Sequence, residues 1–250
     1  MGKLRQIAPY EPLNTLKSLS ENLWIVDGPV VKMSLLGVKF PFPTRMTVIR
    51  LNTGQLWCHS PTLLTPALQA QLKDLGAVTH LIAPNKLHYI HLPDWKQIYP
   101  HATTWAAAGV VERAAKHGIS IEVDAPLAES EPVPWEDEIE QCHFRGQFME
   151  EVIFCHRPSQ TLIVTDLIEN FEPNRVPPWL RIPLKLAGNL APHGKAPLDL
   201  RLTFFRNKPE LRQKRQQLLD WRPQRIILAH GAIIEDDAVG ELERAFCWLD

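Results

Sequence analysis

The chain has 250 residues, 45% of them hydrophobic and 22% charged, with only 12 glycines, a balance that fills a large core and excludes a disordered or low-complexity protein. Its 27 Lys and Arg against 28 Asp and Glu leave a formal charge of −1, so no overall field draws it to nucleic acid or anionic lipid, and any partner must be recognised locally. The N-terminus carries no apolar run of signal-peptide length and no later stretch is long enough to span a bilayer. The expectations are therefore a cytoplasmic location, a small-molecule substrate of unstated identity, no nucleic acid and no stable membrane insertion.

Taken in chain order, residues 45–52 (RMTVIRLN) and 55–60 (QLWCHS) flank Thr53-Gly54 and predict a hairpin, since β-branched and apolar residues border a glycine turn. Thr65 is the expected N-cap of a helix with Pro66 in its first turn, Leu68, Leu72 and Leu75 on one face and Gly76 at its end. A buried strand follows over 78–84. A second helix is expected over 106–117, with Val110, Val111, Ala114 and Ala115 as its apolar stripe and Gly118 closing it. After an acidic, proline-bearing connection, IEQCHFRG, EEVIFCH and TLIVTD read as three consecutive strands of a meander. Residues 167–209, rich in Pro, Trp and Arg, lack sustained periodicity and predict an irregular cap within a single domain spanning 1–250. A helix from about Pro209, a strand over 225–231 and a last helix presenting Val239, Leu242 and Phe246 complete the pattern. Two halves each built as strands followed by helices fit a pseudo-symmetric sandwich.

Cys58, Cys142, Cys155 and Cys247 are scattered without a CxxC pair, and read as small buried hydrophobes. Ser60-Pro61 and Ser159 lie in no GxSxG elbow, so both are expected to shape turns, and no Gly-rich phosphate loop is present. The basic, apolar stretch 175–189 has the composition of a membrane-surface segment, but its prolines spoil a continuous amphipathic helix. It is read as a lid, from which Arg175, Arg181 and Lys185 would face an anionic substrate.

Three segments each end a predicted strand with metal-competent side chains: APNKLHYIHLPDW with His88 and His91, TLIVTDLI with Asp166, and IILAHG with His230. Singly these are weak, since a lone His is more often a hydrogen-bonded surface or core residue, and Asp at a strand end commonly caps a turn. Strand ends collect remote residues at one sheet edge, however, and imidazole with carboxylate suits zinc, iron or manganese.

That succession resembles the metallo-β-lactamase superfamily, whose pattern is HxHxDH, a lone His, (T)GD and a terminal (G)HG. The chain is most similar to a family of uncharacterised proteins within or beside it, through LWIVDGP, PTRMTVIRL, LWCHSP, APNKLHYIHLPDW, HRPSQTLIVTDLI and RIILAHG. The resemblance implies an α/β fold, a four-layer αββα sandwich, and hydrolysis of an ester, thioester, lactone or phosphodiester. It also implies a worn metal motif. Setting Pro84-Asn85 against the family's Thr-His places Asn85, Leu87 and Ile90 where ligands stand, and the lone-His position falls near Gln147, with Glu151 as a substitute. The expected site is mononuclear, one zinc or iron ion held by His88, His91, Asp166 and His230. Asp166 and Glu151 would be the catalytic carboxylates, and Glu151 or His156 would support the ligands. A scaffold protein that kept the fold without metal, and an iron oxidoreductase, are the rival readings.

Overall fold

The structure, a computed structural model, describes residues 6–35 and 38–250, with side chains for all of these except 32–35 and 38–40. Strands β1 (Leu16–Ser20), β2 (Leu23–Leu35), β3 (Val38–Arg50), β4 (Gln55–His59), β5 (Ala77–Ala83), β6 (Thr103–Ala106) and β7 (Ala125–Pro126) form one sheet in sequence order. A second sheet runs β11-β10-β9-β8, from β8 (Ile139–Arg145), β9 (Glu150–His156), β10 (Thr161–Val164) and β11 (Arg225–Leu228). The helices are α1 (Pro66–Leu75), α2 (Leu92–Ile98), α3 (Val110–Lys116), α4 (Pro178–Ala187), α5 (Leu198–Thr203), α6 (Lys208–Asp220) and α7 (Ala238–Ala245).

Period-2 alternation explains the layering. Along β9, Val152 and Phe154 face the other sheet while Ile153 and Cys155 face outward. In β10 and β11 Ile163 and Ile227 point inward, and Leu162, Val164, Ile226 and Leu228 meet Leu211 and Leu218 of α6 and Leu242 of α7. From the larger sheet, Trp57 and Ile82 point inward; Leu56, Cys58, Leu81 and Ala83 pack under α1, α2 and α3 through Leu68, Leu72, Trp95, Val110 and Ala114. Helices, sheet, sheet and helices thus make the four-layer αββα sandwich, although sheets of seven and four strands leave the expected pseudo-symmetry approximate.

Local chemistry sets several boundaries. Thr65 Oγ1 accepts from the Leu68 amide at 3.2 Å, and the Gly76 amide donates to Leu72 O at 3.0 Å, so α1 has both expected caps. The helix expected over 106–117 begins only at Val110, because Thr103–Ala106 pairs with β5 and Gly109 (φ +83°) makes the turn between them. The segment expected to be irregular over 167–209 contains two helices, α4 and α5. Helix α4 runs through Pro183 without a break, held by Leu180 and Leu184, which pack on Phe42, Phe171 and Val176. Cys58, Cys142 and Cys155 are buried as expected, whereas Cys247 is exposed.

Candidate metal centre

Parallel pairing decides where chemistry collects. β4 and β5 run parallel, so Ser60 and Asn85 emerge at one edge of the larger sheet; β10 and β11 run parallel, so Asp166 and His230 emerge at the facing edge of the smaller one. β9 is antiparallel to β10, which brings its first residues, including Glu151, to the same place. Past β11 the chain is tied to the segment after β10: Asn170 N donates to His230 O at 3.1 Å and Ala232 N to Asn170 O at 2.8 Å. Gly231 (φ +109°) is required there, since a Cβ would meet the Asn170 backbone.

At this edge His88, Asp166 and His230 converge, with one ligand atom of each within 4.8 Å of the others. His88 Nε2 stands 3.3 Å from Asp166 Oδ2, and His230 Nε2 stands 3.3 Å from Asp166 Oδ1. Neither contact is aligned as a hydrogen bond, and both Nε2 atoms are buried without a partner. The other ring nitrogens are occupied: His230 Nδ1–H donates to Pro43 O at 2.8 Å, and His88 Nδ1 shares a 2.6 Å hydrogen bond with Ser60 Oγ. The Pro43 carbonyl fixes a proton on His230 Nδ1 and so leaves its Nε2 lone pair directed at the carboxylate. His88 matches it in the tautomer whose Nδ1–H donates to Ser60 Oγ, an arrangement that a cation between them satisfies.

Behind this trio lies a second layer. Asn85 Nδ2 donates to Asp166 Oδ2 at 2.7 Å, to Thr165 Oγ1 at 2.9 Å and toward Glu151 Oε2 at 3.2 Å. Glu151 accepts from the backbone amides of Thr165 and Asp166 at 2.8 and 2.9 Å. Burial works against charge on Asp166, but His88 and His230 outweigh it and hold this carboxyl well below the usual carboxylate range. Glu151 moves the other way: burial first and the Asp166 charge second raise it, against the pull of the amide donors. Glu169, 5% exposed, is pushed up to about 8 by burial, with the negative charges of Asp166, Asp199 and Glu151 adding to the rise. Burial lowers His230, yet Asp166, Glu169 and the Pro43 carbonyl more than reverse this and leave it raised. Three carboxyls crowded into one buried space favour a positive charge among them.

The remaining sequence-predicted residues fall elsewhere. His91 precedes α2 as its N-terminal residue, with Nε2 buried and unpaired, and does not join the cluster. Asn85 stands in the layer behind Asp166, where its amide donates. Glu151 also orients Asp166 from behind and is not among the converging groups. His156 ends β9 at the opposite end from Glu151 and pairs with Ser159 Oγ at 2.7 Å, so it cannot support the ligands. Ser60 does more than shape a turn, since it fixes His88.

Three contributors were missed. His59, buried and driven down to about 3 by burial and then by the neighbouring His88, stacks on Trp57 at 5.4 Å. The legible signal for His59 and Ser60 was that QLWCHS and VTHLIAP are adjacent strands whose ends must share an edge. Glu169 lies three residues past Asp166, a carboxylate in an otherwise apolar run. Arg45 is buried with Asp27, Nε to Oδ1 at 2.8 Å, and its Nη1 donates to Leu228 O and Gly231 O, each at 2.7 Å, clamping the His230 strand end to the larger sheet.

A family model described as "Domain of unknown function (DUF4336)" matches residues 21–193. The chain belongs to that family. Among solved structures it is similar to the metallo-β-lactamase FIM-1 from Pseudomonas aeruginosa in its mono-zinc form, at 12% identity and a TM-score of 0.61, covering 99% of this chain and 97% of that one. A metallo-β-lactamase from Pontibacter korlensis matches at 11% identity and 0.59, covering 94% and 98%. One from Hirschia baltica matches at 13% and 0.59, covering 94% and 97%. This DUF4336 chain therefore has the metallo-β-lactamase fold. Among curated proteins, none matches its sequence.

Proposed function

We propose that this protein is a metal-dependent hydrolase acting on an ester, thioester, lactone or phosphodiester, with a single zinc or iron ion held by His88, Asp166 and His230. The observation that carries the reading is the pair of buried Nε2 atoms without partners, turned onto the two oxygens of one buried carboxylate. His88, Asp166 and His230 would hold the ion, and a catalytic zinc commonly has three protein ligands and one open position. The chemistry of two imidazoles and a carboxylate suits such an ion, and one ligand atom of each residue lies within 4.8 Å of the others. Such an ion, when bound, supplies Lewis acidity and a water that ionises near neutral pH.

The chain's own residues do the rest. Ser60 and Pro43 fix the ring orientation of His88 and His230 and keep their Nε2 atoms available as donors to the ion. Asn85 and Glu151 set the rotation of Asp166. We assign Glu151 a positioning role, because its oxygens are spent on the backbone and Asn85. Phe42 packs over His230, ring centroids 5.5 Å apart, and belongs to the apolar cluster under α4, so water is excluded from that side. The ligand side chains are only 7%, 6% and 2% exposed, which means the covering elements must shift to admit a substrate.

The test is metal content by mass spectrometry on protein purified without chelator, together with hydrolysis of activated ester, thioester, lactone and phosphodiester probes. A single equivalent of metal is expected, lost in Asp166→Ala and kept in His91→Ala. Metal-free wild-type protein would favour the alternative of a scaffold that kept the fold alone, and metal retained in Asp166→Ala would place the ion away from these three residues.

A further inference from the structure

The surface of the capping segment carries a dense group of exposed apolar side chains. Helix α4 turns Trp179, Ile182 and Leu186 outward, 60%, 70% and 80% exposed, at the i, i+3, i+7 spacing of one helix face. α5 and the turn after it expose Leu202 and Phe205 by 67% and 71%. The two helices abut, since Arg201 Nη2 donates to Ala187 O at 2.6 Å, one residue past Leu186. Their opposite faces are anchored: Leu180 lies over Phe171 and Val176, while Leu200 and Phe204 enter the outer core. The cap therefore has a packed apolar face and a free one, and free apolar surface of this density marks an interaction site.

Charge selects the occupant. Residues 175–208 hold seven of the 27 Lys and Arg but one of the 28 Asp and Glu, leaving the remainder of the chain acidic. The near-zero total thus conceals a separation that the overall charge could not reveal. Arg181, Lys185 and Arg206 are exposed beside the apolar residues, and none pairs with a carboxylate among the described residues. A second copy meeting this face isologously would set basic side chains against basic side chains. Interleaved Trp, Ile, Leu, Lys and Arg instead match a surface that is apolar below and anionic above.

We propose that α4 and α5 seat this protein on a bilayer rich in anionic lipid, with Trp179, Ile182, Leu186, Leu202 and Phe205 at the acyl boundary and Arg181, Lys185 and Arg206 among the headgroups. The association is peripheral, in the plane of the interface. No helix among the described residues is long and apolar enough to cross a membrane.

The experiment is co-sedimentation of the full chain with vesicles of phosphatidylcholine alone and of an equal mixture with phosphatidylglycerol, at low and high salt. Binding to the mixed vesicles, weakened by salt, is expected. Ile182→Ser with Leu186→Ser should abolish it, and Arg181→Gln with Lys185→Gln should weaken it by about fivefold for each charge removed. Trp179 alone among the described tryptophans is exposed, so a vesicle-dependent blue shift of fluorescence should vanish in Trp179→Phe while sedimentation persists. The proposal is overturned by failure to bind anionic vesicles, by equal binding to neutral ones, or by binding that survives Ile182→Ser with Leu186→Ser. A dimer in sedimentation velocity that the same double variant dissociates would overturn it too, assigning the face to a second copy. Each of these readouts is independent of metal content and of hydrolysis.

Discussion

Replacing Glu169 by Gln is expected to stabilise the metal-free protein at neutral and alkaline pH while leaving it nearly unchanged in acid. The side chain is 5% exposed, accepts no hydrogen bond among the described residues, and is held at about 8 instead of its ordinary 4.5. The sign follows from proton counts. Between those two values the unfolded chain has released its proton and the folded one retains it, so stability falls as pH rises from 4.5 to about 8 and levels off above. At about 1.4 kcal/mol for each tenfold change in proton affinity, the ceiling is roughly 5 kcal/mol, and relaxation of the buried site brings the expected gain to about 2–5 kcal/mol. Gln keeps the shape and removes the titration. Urea unfolding with chelator present, at several pH values from weakly acidic to alkaline, measures the difference between the two proteins. A stability difference that is the same across that range would refute the reasoning, because it would place the effect in packing.

Other changes test the clamp, the orienting hydroxyl and a cap. Arg45→Met leaves Asp27 buried without its main partner and the Leu228 and Gly231 carbonyls without a donor, and should cost about 3–5 kcal/mol in denaturant unfolding. Ser60→Ala removes the hydrogen bond that orients His88 and should weaken metal binding by about 10- to 100-fold in competition with a chromogenic chelator, with circular dichroism unchanged. Thr65→Ala deletes the α1 N-cap and should cost about 1 kcal/mol, read as a lower midpoint of unfolding with metal content unaltered.

The parts of the fold legible from sequence were those that a local rule decides. Alternation in EEVIFCH and TLIVTD assigns each side chain to a face, and Thr65, Pro66 and Gly76 bracket α1 because capping is a matter of a few neighbouring atoms. Helix α4 was hidden by Pro183: local preference argues against a helix there, and only burial of Leu180 and Leu184 against Phe42 and Phe171 outweighs it. Ala106 reads as helical in isolation but is taken by the ladder with β5. At the site, Asp166 and His230 stand at strand ends that the pattern marks. The choice between His88 and His91 depends on the path of the turn from Asn85 to His91, which spacing does not encode. Arg45 reaches Leu228 and Gly231 across 183 and 186 positions, which no motif spans.

The hydrogen bond from His230 Nδ1 to Pro43 O joins residues 187 positions apart, and its consequence reaches beyond orientation. His88 comes from one half of the chain and Asp166 and His230 from the other, so any ion captured among them would work as a removable rivet between the two sheets. Its affinity then adds directly to resistance against unfolding. Since contacts of such long range close late, metal uptake during refolding should trail the recovery of helical signal and report that the last seam has shut.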